Sequence, residues 1–221
     1  MSYLPCVEVE TSPDINASII WLHGLGANGH DFEPIIPELK LPATAGIRFI
    51  FPHAPSIPVT INGGMVMPAW YDIIDIDHMN RKVDLEQIIK SAEQITALVE
   101  REIARGTDSR RIIIAGFSQG GAVVYQMALT YPKPLAGLLA LSTYFASCET
   151  IKTDPANRAI PISIYHGLYD MVVPESLGQH AAATLKSMGY QAEYKTYPMQ
   201  HSVCAEEISD ISHWIRATLD L

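Results

Sequence analysis

Apolar residues recur along the chain in two rhythms. Short β-branched or apolar runs at residues 17–22, 47–51, 111–115, 135–141, 160–165 and 191–197 have the length and composition of buried strands. Between them lie longer stretches with a helical repeat. The clearest, residues 84–105, puts Leu85, Ile88, Ile89, Ala92, Ile95, Val99 and Ile103 on one face, with Asp84 and Gln87 as a capping pair and Gly106 as the stop. Further helices are predicted over 32–39, 119–130, 175–187 and 205–219. Strands that alternate with helices predict an α/β fold with a mostly parallel central sheet. No repeat, low-complexity segment or linker divides the 221 residues, so one domain over 1–221 is expected.

Residues 52–77 break both rhythms. Pro52, Pro55, Pro58, Gly63, Gly64 and Pro68 interrupt any regular element, while Ile57, Val59, Ile61, Met65, Met67, Trp70 and Tyr71 keep the segment apolar. It reads as a long ordered loop, of the kind that often forms a lid or binding wall. Ile57, Val59, Ile61, Met65 and Trp70 are the candidates for contact with substrate; packing of the loop onto the core is the competing use of the same side chains.

Composition narrows the function classes. Twenty-four acidic against 15 basic residues give a net charge of -9, a field that repels nucleic acid and anionic membranes. Cys6, Cys148 and Cys204 are odd in number and scattered, which argues against a disulfide framework or a zinc site and for a reducing compartment. The first eight residues have neither a basic nor an apolar export signal, so a cytoplasmic location is expected. No apolar run approaches the roughly 20 residues that a bilayer crossing needs.

Chemistry concentrates at Gly116-Phe117-Ser118-Gln119-Gly120, which follows the run 111–115 and opens onto the helix predicted from 119. A strand, a Gly-x-Ser-x-Gly turn and a helix together project the serine from a strained elbow at the top of a sheet. A serine hydroxyl needs a base, and the base needs an orienting group. Asp170 and His201 each follow a predicted strand and precede a predicted helix, so three consecutive strand-end loops are expected to present Ser118, Asp170 and His201 at one rim. Taken alone, Asp170 could cap a helix and His201 could be an ordinary loop histidine; the order Ser, Asp, His is that of α/β-hydrolases. His30, His53, His78, His166, His180 and His213 have no partner pattern and are assigned to structure or surface. Acyl transfer also needs two N–H donors at the developing oxyanion. The Gln119 N–H at the start of the helix is one candidate. The Leu25 N–H is the other, because it sits between Gly24 and Gly26 in the loop His23-Gly24-Leu25-Gly26 after an early strand, with His23 as a brace. That loop lacks the spacing of a phosphate cradle.

These motifs, together with Met67-Pro68-Ala69-Trp70-Tyr71-Asp72, His166-Gly167 through Asp170 to Val173-Pro174, and Met199 to His201, resemble the phospholipase/carboxylesterase family of α/β-hydrolases, to which acyl-protein thioesterases belong. The likeness runs from about residue 17 to the last helix. It implies helices on both faces of the sheet, no large cap domain, the triad and oxyanion donors named above, and an acyl groove walled by residues 52–77. It also leaves a homodimer open. Gln200 stands where many relatives have Gly, and Ala146 where Pro is common. The function expected is hydrolysis of carboxylic esters through an acyl-serine, without metal or organic cofactor. An acyl-protein thioesterase or lysophospholipase would use the same mechanism, so the substrate class spans small-molecule and lipid esters and acylated proteins. A non-catalytic binding module on the same scaffold should have lost a triad member, and all three are present.

Overall fold

In the computed structural model, residues 3–77 and 80–221 are described. Their elements run β1 (Cys6–Glu10), β2 (Ala17–Leu22), α1 (Ile35–Glu38), β3 (Ile47–Pro52), β4 (Ser56–Val59), β5 (Met65–Pro68), β6 (Ile73–Asp77), β7 (Asn80–Val83), α2 (Leu85–Ala104), β8 (Ile112–Phe117), α3 (Gln119–Thr130), β9 (Gly137–Leu141), β10 (Ile162–Gly167), α4 (Glu175–Ser187), β11 (Ala192–Tyr197) and α5 (Ala205–Leu219). The main sheet has seven strands in the order β1-β3-β2-β8-β9-β10-β11, parallel throughout except for β1.

Both faces of this sheet are covered over its inner strands, which is why these read as apolar runs rather than as alternation. Along β2, Ile20 and Leu22 join the core beneath α2, α3 and α4, whereas Ala17, Ile19 and Trp21 join the core beneath α1 and α5. In β8 the alternation repeats, with Ile112 and Ile114 on the first side and Ile113 and Ala115 on the second. Helix α3 is buried from Gln119 to Leu129, as befits a helix enclosed by α2 and the sheet.

Several expectations need correction. The edge strand β1 was not anticipated, although Cys6-Val7-Glu8-Val9-Glu10 alternates as an edge strand should; it pairs antiparallel with β3. Residues 52–77 do not form one long loop. β4 and β5 form a hairpin around Gly63 and Gly64, which take φ of +66° and +76°, and β6 pairs with β7 in a second hairpin. Pro58 and Pro68 are tolerated because each strand of a two-stranded hairpin has a free edge. The helix expected over 32–39 shrinks to the single turn of α1. In α2, Asp84 accepts the Gln87 N–H as predicted, but the Gln87 side chain accepts from Asp72 N–H and so ties the second hairpin to the helix. Ile89, expected on the buried face of α2, is 46% exposed.

The chain leaves β2 toward β3 on one side and reaches β8 on the other. A parallel sheet whose order reverses in this way opens a crevice at the carboxyl ends of the two strands. Leu25 follows β2 and Ser118 follows β8, so both candidates lie at that crevice.

Candidate active site

Ser118 stands between β8 and α3 with φ +54° and ψ -118°, a conformation that non-glycine residues rarely adopt. The turn closes because Gly120 lacks a side chain: a Cβ there would lie 2.6 Å from the His23 carbonyl oxygen and 2.7 Å from Leu22 Cβ. The neighbouring strand end clamps the elbow. Ser118 N–H donates to the Leu141 carbonyl at 2.9 Å, and the Thr143 hydroxyl donates to the Ser118 carbonyl at 2.6 Å. Ser142, between them, is itself at φ +44°. Neither Ser142 nor Thr143 was flagged from sequence, because their role comes from β9 lying beside β8.

The structure brings Ser118, His201 and Asp170 together. Ser118 Oγ–H donates to His201 Nε2 at 2.9 Å, and His201 Nδ1–H donates to Asp170 Oδ2 at 2.6 Å. The other carboxylate oxygen, Oδ1, accepts Val172 N–H at 2.9 Å and Val173 N–H at 2.8 Å. Burial pushes the Asp170 carboxyl up, but the hydrogen bonds from His201, Val173 and Val172 outweigh it and hold the group below its ordinary value. The expected three consecutive loops are corrected in one respect: they follow β8, β10 and β11, and the end of β9 lies between the first two.

Gly167 lets the acid and histidine loops lie against each other. A Cβ there would come within 2.6 Å of the Met199 carbonyl, with the Gln200 carbonyl closer still. Tyr169 N–H donates to Met199 O at 3.0 Å and Leu168 N–H to Tyr197 O at 2.8 Å, which joins the two loops. His201 also packs on Phe117, with ring centroids 4.7 Å apart.

His166, assigned from sequence to structure or surface, lies beside this arrangement. It is fully buried, donates Nε2–H to the Val173 carbonyl at 2.8 Å and sits 3.6 Å from Asp170 Oδ2. Burial lowers its pKa, which keeps it neutral. The turn that supplies Val172 and Val173 N–H to Asp170 is therefore held from within. Arg81 holds it from outside, donating to the Val172 carbonyl while its guanidinium lies 5.0 Å from the Tyr144 ring centroid. Of the remaining histidines, His30 pairs with Glu33 at 2.7 Å, His53 accepts Gly29 N–H, and His213 donates to Ser209 O. His78 lies outside the described residues.

The loop after β2 is braced as an oxyanion loop should be. His23 Nδ1–H donates to Gly24 O at 2.7 Å, His23 Nε2 accepts Ala54 N–H at 3.1 Å, and burial lowers the ring's pKa. Gly26, at φ +77°, donates its N–H to Pro68 O at 2.8 Å. Among the described residues, neither Leu25 N–H nor Gln119 N–H has an acceptor.

Of the five candidate substrate contacts, two are used elsewhere. Val59 and Trp70 are 0% and 1% exposed, so neither has surface to offer an acyl chain. Trp70 instead joins the oxyanion loop to the elbow: its indole N–H donates to His23 O, its backbone N–H donates to Gln119 Oε1, and Gln119 Nε2 donates to Tyr71 O. Ile57 is half-buried in β4, while Ile61 and Met65 flank the hairpin turn at 40% and 63% exposure. Val66 beside them and Leu168, Tyr169, Met171 and Val172 on the acid loop are also exposed, which makes the rim apolar.

A profile of the phospholipase/carboxylesterase family matches residues 5–219. The chain belongs to this family. Curated relatives in it include acyl-protein thioesterase 1 of Gibberella zeae, 37% identical over 213 residues that span 92% of this chain and 91% of that one. A probable carboxylesterase of Oryza sativa subsp. japonica is 36% identical over 202 residues, 90% of this chain and 76% of its own length. Among solved structures, Arabidopsis thaliana SOBER1 superposes with a TM-score of 0.86 at 33% identity, covering 92% of this chain and 99% of that one. Zea mays acyl-protein thioesterase 2 gives 0.85 at 29% identity, with 98% and 100% covered. This phospholipase/carboxylesterase member is thus a serine ester hydrolase on an α/β-hydrolase fold without a separate cap domain. No helix of the described residues is long and apolar enough to cross a membrane.

Proposed function

We propose that the hydrolase acts through Ser118, His201 and Asp170, and the observation that carries this reading is the pair of hydrogen bonds on the His201 ring. With Asp170 ionised, Nδ1 keeps its proton and Nε2 is free to take the one from Ser118. Ser118 Oγ attacks the acyl carbon as its proton passes to Nε2, and the tetrahedral oxyanion accepts Leu25 N–H and Gln119 N–H. The imidazolium then gives its proton to the leaving oxygen or sulfur, the acyl-Ser118 ester remains, and a water deprotonated by His201 releases the acid. The chemistry is the same for an oxygen ester and a thioester. The acyl-protein thioesterase relatives and the apolar rim support an acylated substrate whose chain lies along Ile57, Ile61 and Met65. Three unpaired cysteines support a cytoplasmic setting.

The test is hydrolysis of p-nitrophenyl esters by wild type and Ser118→Ala, with a fluorophosphonate probe and peptide mapping. Turnover and labelling at Ser118 are expected, both lost in the variant. A wild-type enzyme that turns over while labelled elsewhere would overturn the assignment.

A further inference from the structure

A cavity of about 430 Å³ opens against His201 on the α1 and α5 side of the site. Its walls are Phe32, Pro34, Ile35, Phe117, Val203 and Ile208, and Asp31 and Glu38 stand at its lip. None of these residues belongs to the β4–β5 hairpin. The volume lies within the range of about 300–1,000 Å³ common to small-molecule pockets. Resting on the mechanism proposed above, we infer that this cavity receives the leaving group of the substrate and favours one with an apolar stem and a cationic end.

The argument is geometric first. Three substituents of the tetrahedral carbon need separate places beside Ser118. The oxyanion faces Leu25 and Gln119 N–H, a wall tied through Gly26 and Trp70 to Pro68 and the first hairpin. The leaving atom must lie within roughly 2.6–3.2 Å of His201 Nε2, because that nitrogen supplies its proton. The space continuing from the imidazole, beyond the contact of His201 with Phe117, is this cavity. The acyl chain is left the hairpin side.

Charge then narrows the chemistry. Asp31 and Glu38 are exposed, and among the described residues neither has an ion-pair partner. A cation at the mouth would meet two carboxylates over an apolar floor, whereas an anion would meet the same field with the opposite sign, in a protein of net charge -9.

The experiment holds the butyryl group constant and varies what leaves: methyl butyrate, butyrylthiocholine, its uncharged 3,3-dimethylbutyl thioester isostere, and the S-(2-carboxyethyl) thioester. For wild type, kcat/KM should rank cation over neutral over anion, each step about threefold to fivefold, as solvent-exposed charge pairs give. The spread should shrink in about 0.5 M NaCl, where the Debye length is roughly 4 Å. Asp31→Asn with Glu38→Gln should bring cation and anion within about twofold of the neutral thioester. Val203→Trp and, separately, Ile208→Trp fill the cavity from half-buried positions; each should lower kcat/KM for the three bulky leaving groups about tenfold more than for methyl butyrate. An unchanged ranking in the charge variant, or an equal loss on methyl butyrate in both filling variants, overturns the assignment. So does sensitivity of those variants to acyl length instead of leaving group. Methyl butyrate turnover that depends on Ser118 tests the mechanism by itself: its absence would remove the mechanism, and the cavity's role with it.

Discussion

Replacing Asp170 by asparagine alters one atom of similar size, yet the surroundings leave the amide no acceptable orientation. Oδ1 accepts two backbone N–H groups at 2.9 and 2.8 Å, so the amide oxygen must take that position. Its NH2 then faces His201 Nδ1 at the 2.6 Å now spanned by a charge-assisted bond, donor against donor. The ring relieves the conflict by moving its proton to Nε2. That nitrogen then meets Ser118 Oγ, 2.9 Å away, with an N–H and can no longer act as a base. Flipping the amide instead would set its NH2 against Val172 and Val173 N–H, at about 1–3 kcal/mol for each donor left unsatisfied. The wrong tautomer in a Ser-His-Asp triad lowers kcat about 10⁴-fold, equivalent to ~5.4 kcal/mol of barrier at 1.36 kcal/mol per decade. KM should stay within about threefold, since Asp170 makes no contact in the crevice. Steady-state hydrolysis of a p-nitrophenyl ester gives both constants, and the rate of fluorophosphonate labelling should fall in parallel with kcat. An Asp170→Asn enzyme with kcat within about tenfold of wild type would refute the argument from the two backbone donors. A second readout has the opposite sign. The native Asp170 pKa is depressed, so its contribution to stability is present above the unfolded carboxylate value and is lost as pH falls through the native one. The variant should therefore melt lower at pH 7 and lose less stability on acidification.

Thr143→Val removes the hydroxyl that holds the Ser118 carbonyl while keeping the side chain's shape. It should lower kcat about tenfold with KM little changed, and Thr143→Ser should restore most of the loss; equal kcat in all three proteins would show that the β9 clamp does not position the elbow. Glu207 is fully buried, the Cys204 N–H approaches its carboxylate without forming a regular hydrogen bond, and burial pushes its pKa up to about 8. A raised acid is favoured protonated in the folded state, so wild-type stability should fall as pH rises from the unfolded value near 4.5 to about 8 and flatten above it. Glu207→Gln should remove that slope, a gain of about 3 kcal/mol at pH 7 read from melting curves at pH 5, 7 and 8; parallel slopes in the two proteins would refute the burial argument.

Apolar spacing and turn chemistry act over a few residues, and the features they control were legible in the chain itself. They include the six parallel strands, the Asp84 cap of α2, the short strand-to-helix turn at Ser118, and the chain order Ser118, Asp170, His201. Family membership followed from several such local motifs in register. Prolines hid the hairpin at β4–β5, because propensity registers the missing N–H but not the free edge that makes the loss harmless. Val59 and Trp70 read as groove residues for a related reason: apolar character does not distinguish a wall facing substrate from one facing the core. The relations across the sheet belong to tertiary structure alone. Strand order put β9 between β8 and β10, which gave Thr143 its hold on Ser118. Residues up to 83 positions apart became hydrogen-bond partners in the triad, and the cavity beside His201 took its walls from α1, the end of β8 and the start of α5. A linear pattern can state which residue types are present and in what order. Distances between strand ends exist only once the sheet has paired and both its faces have packed.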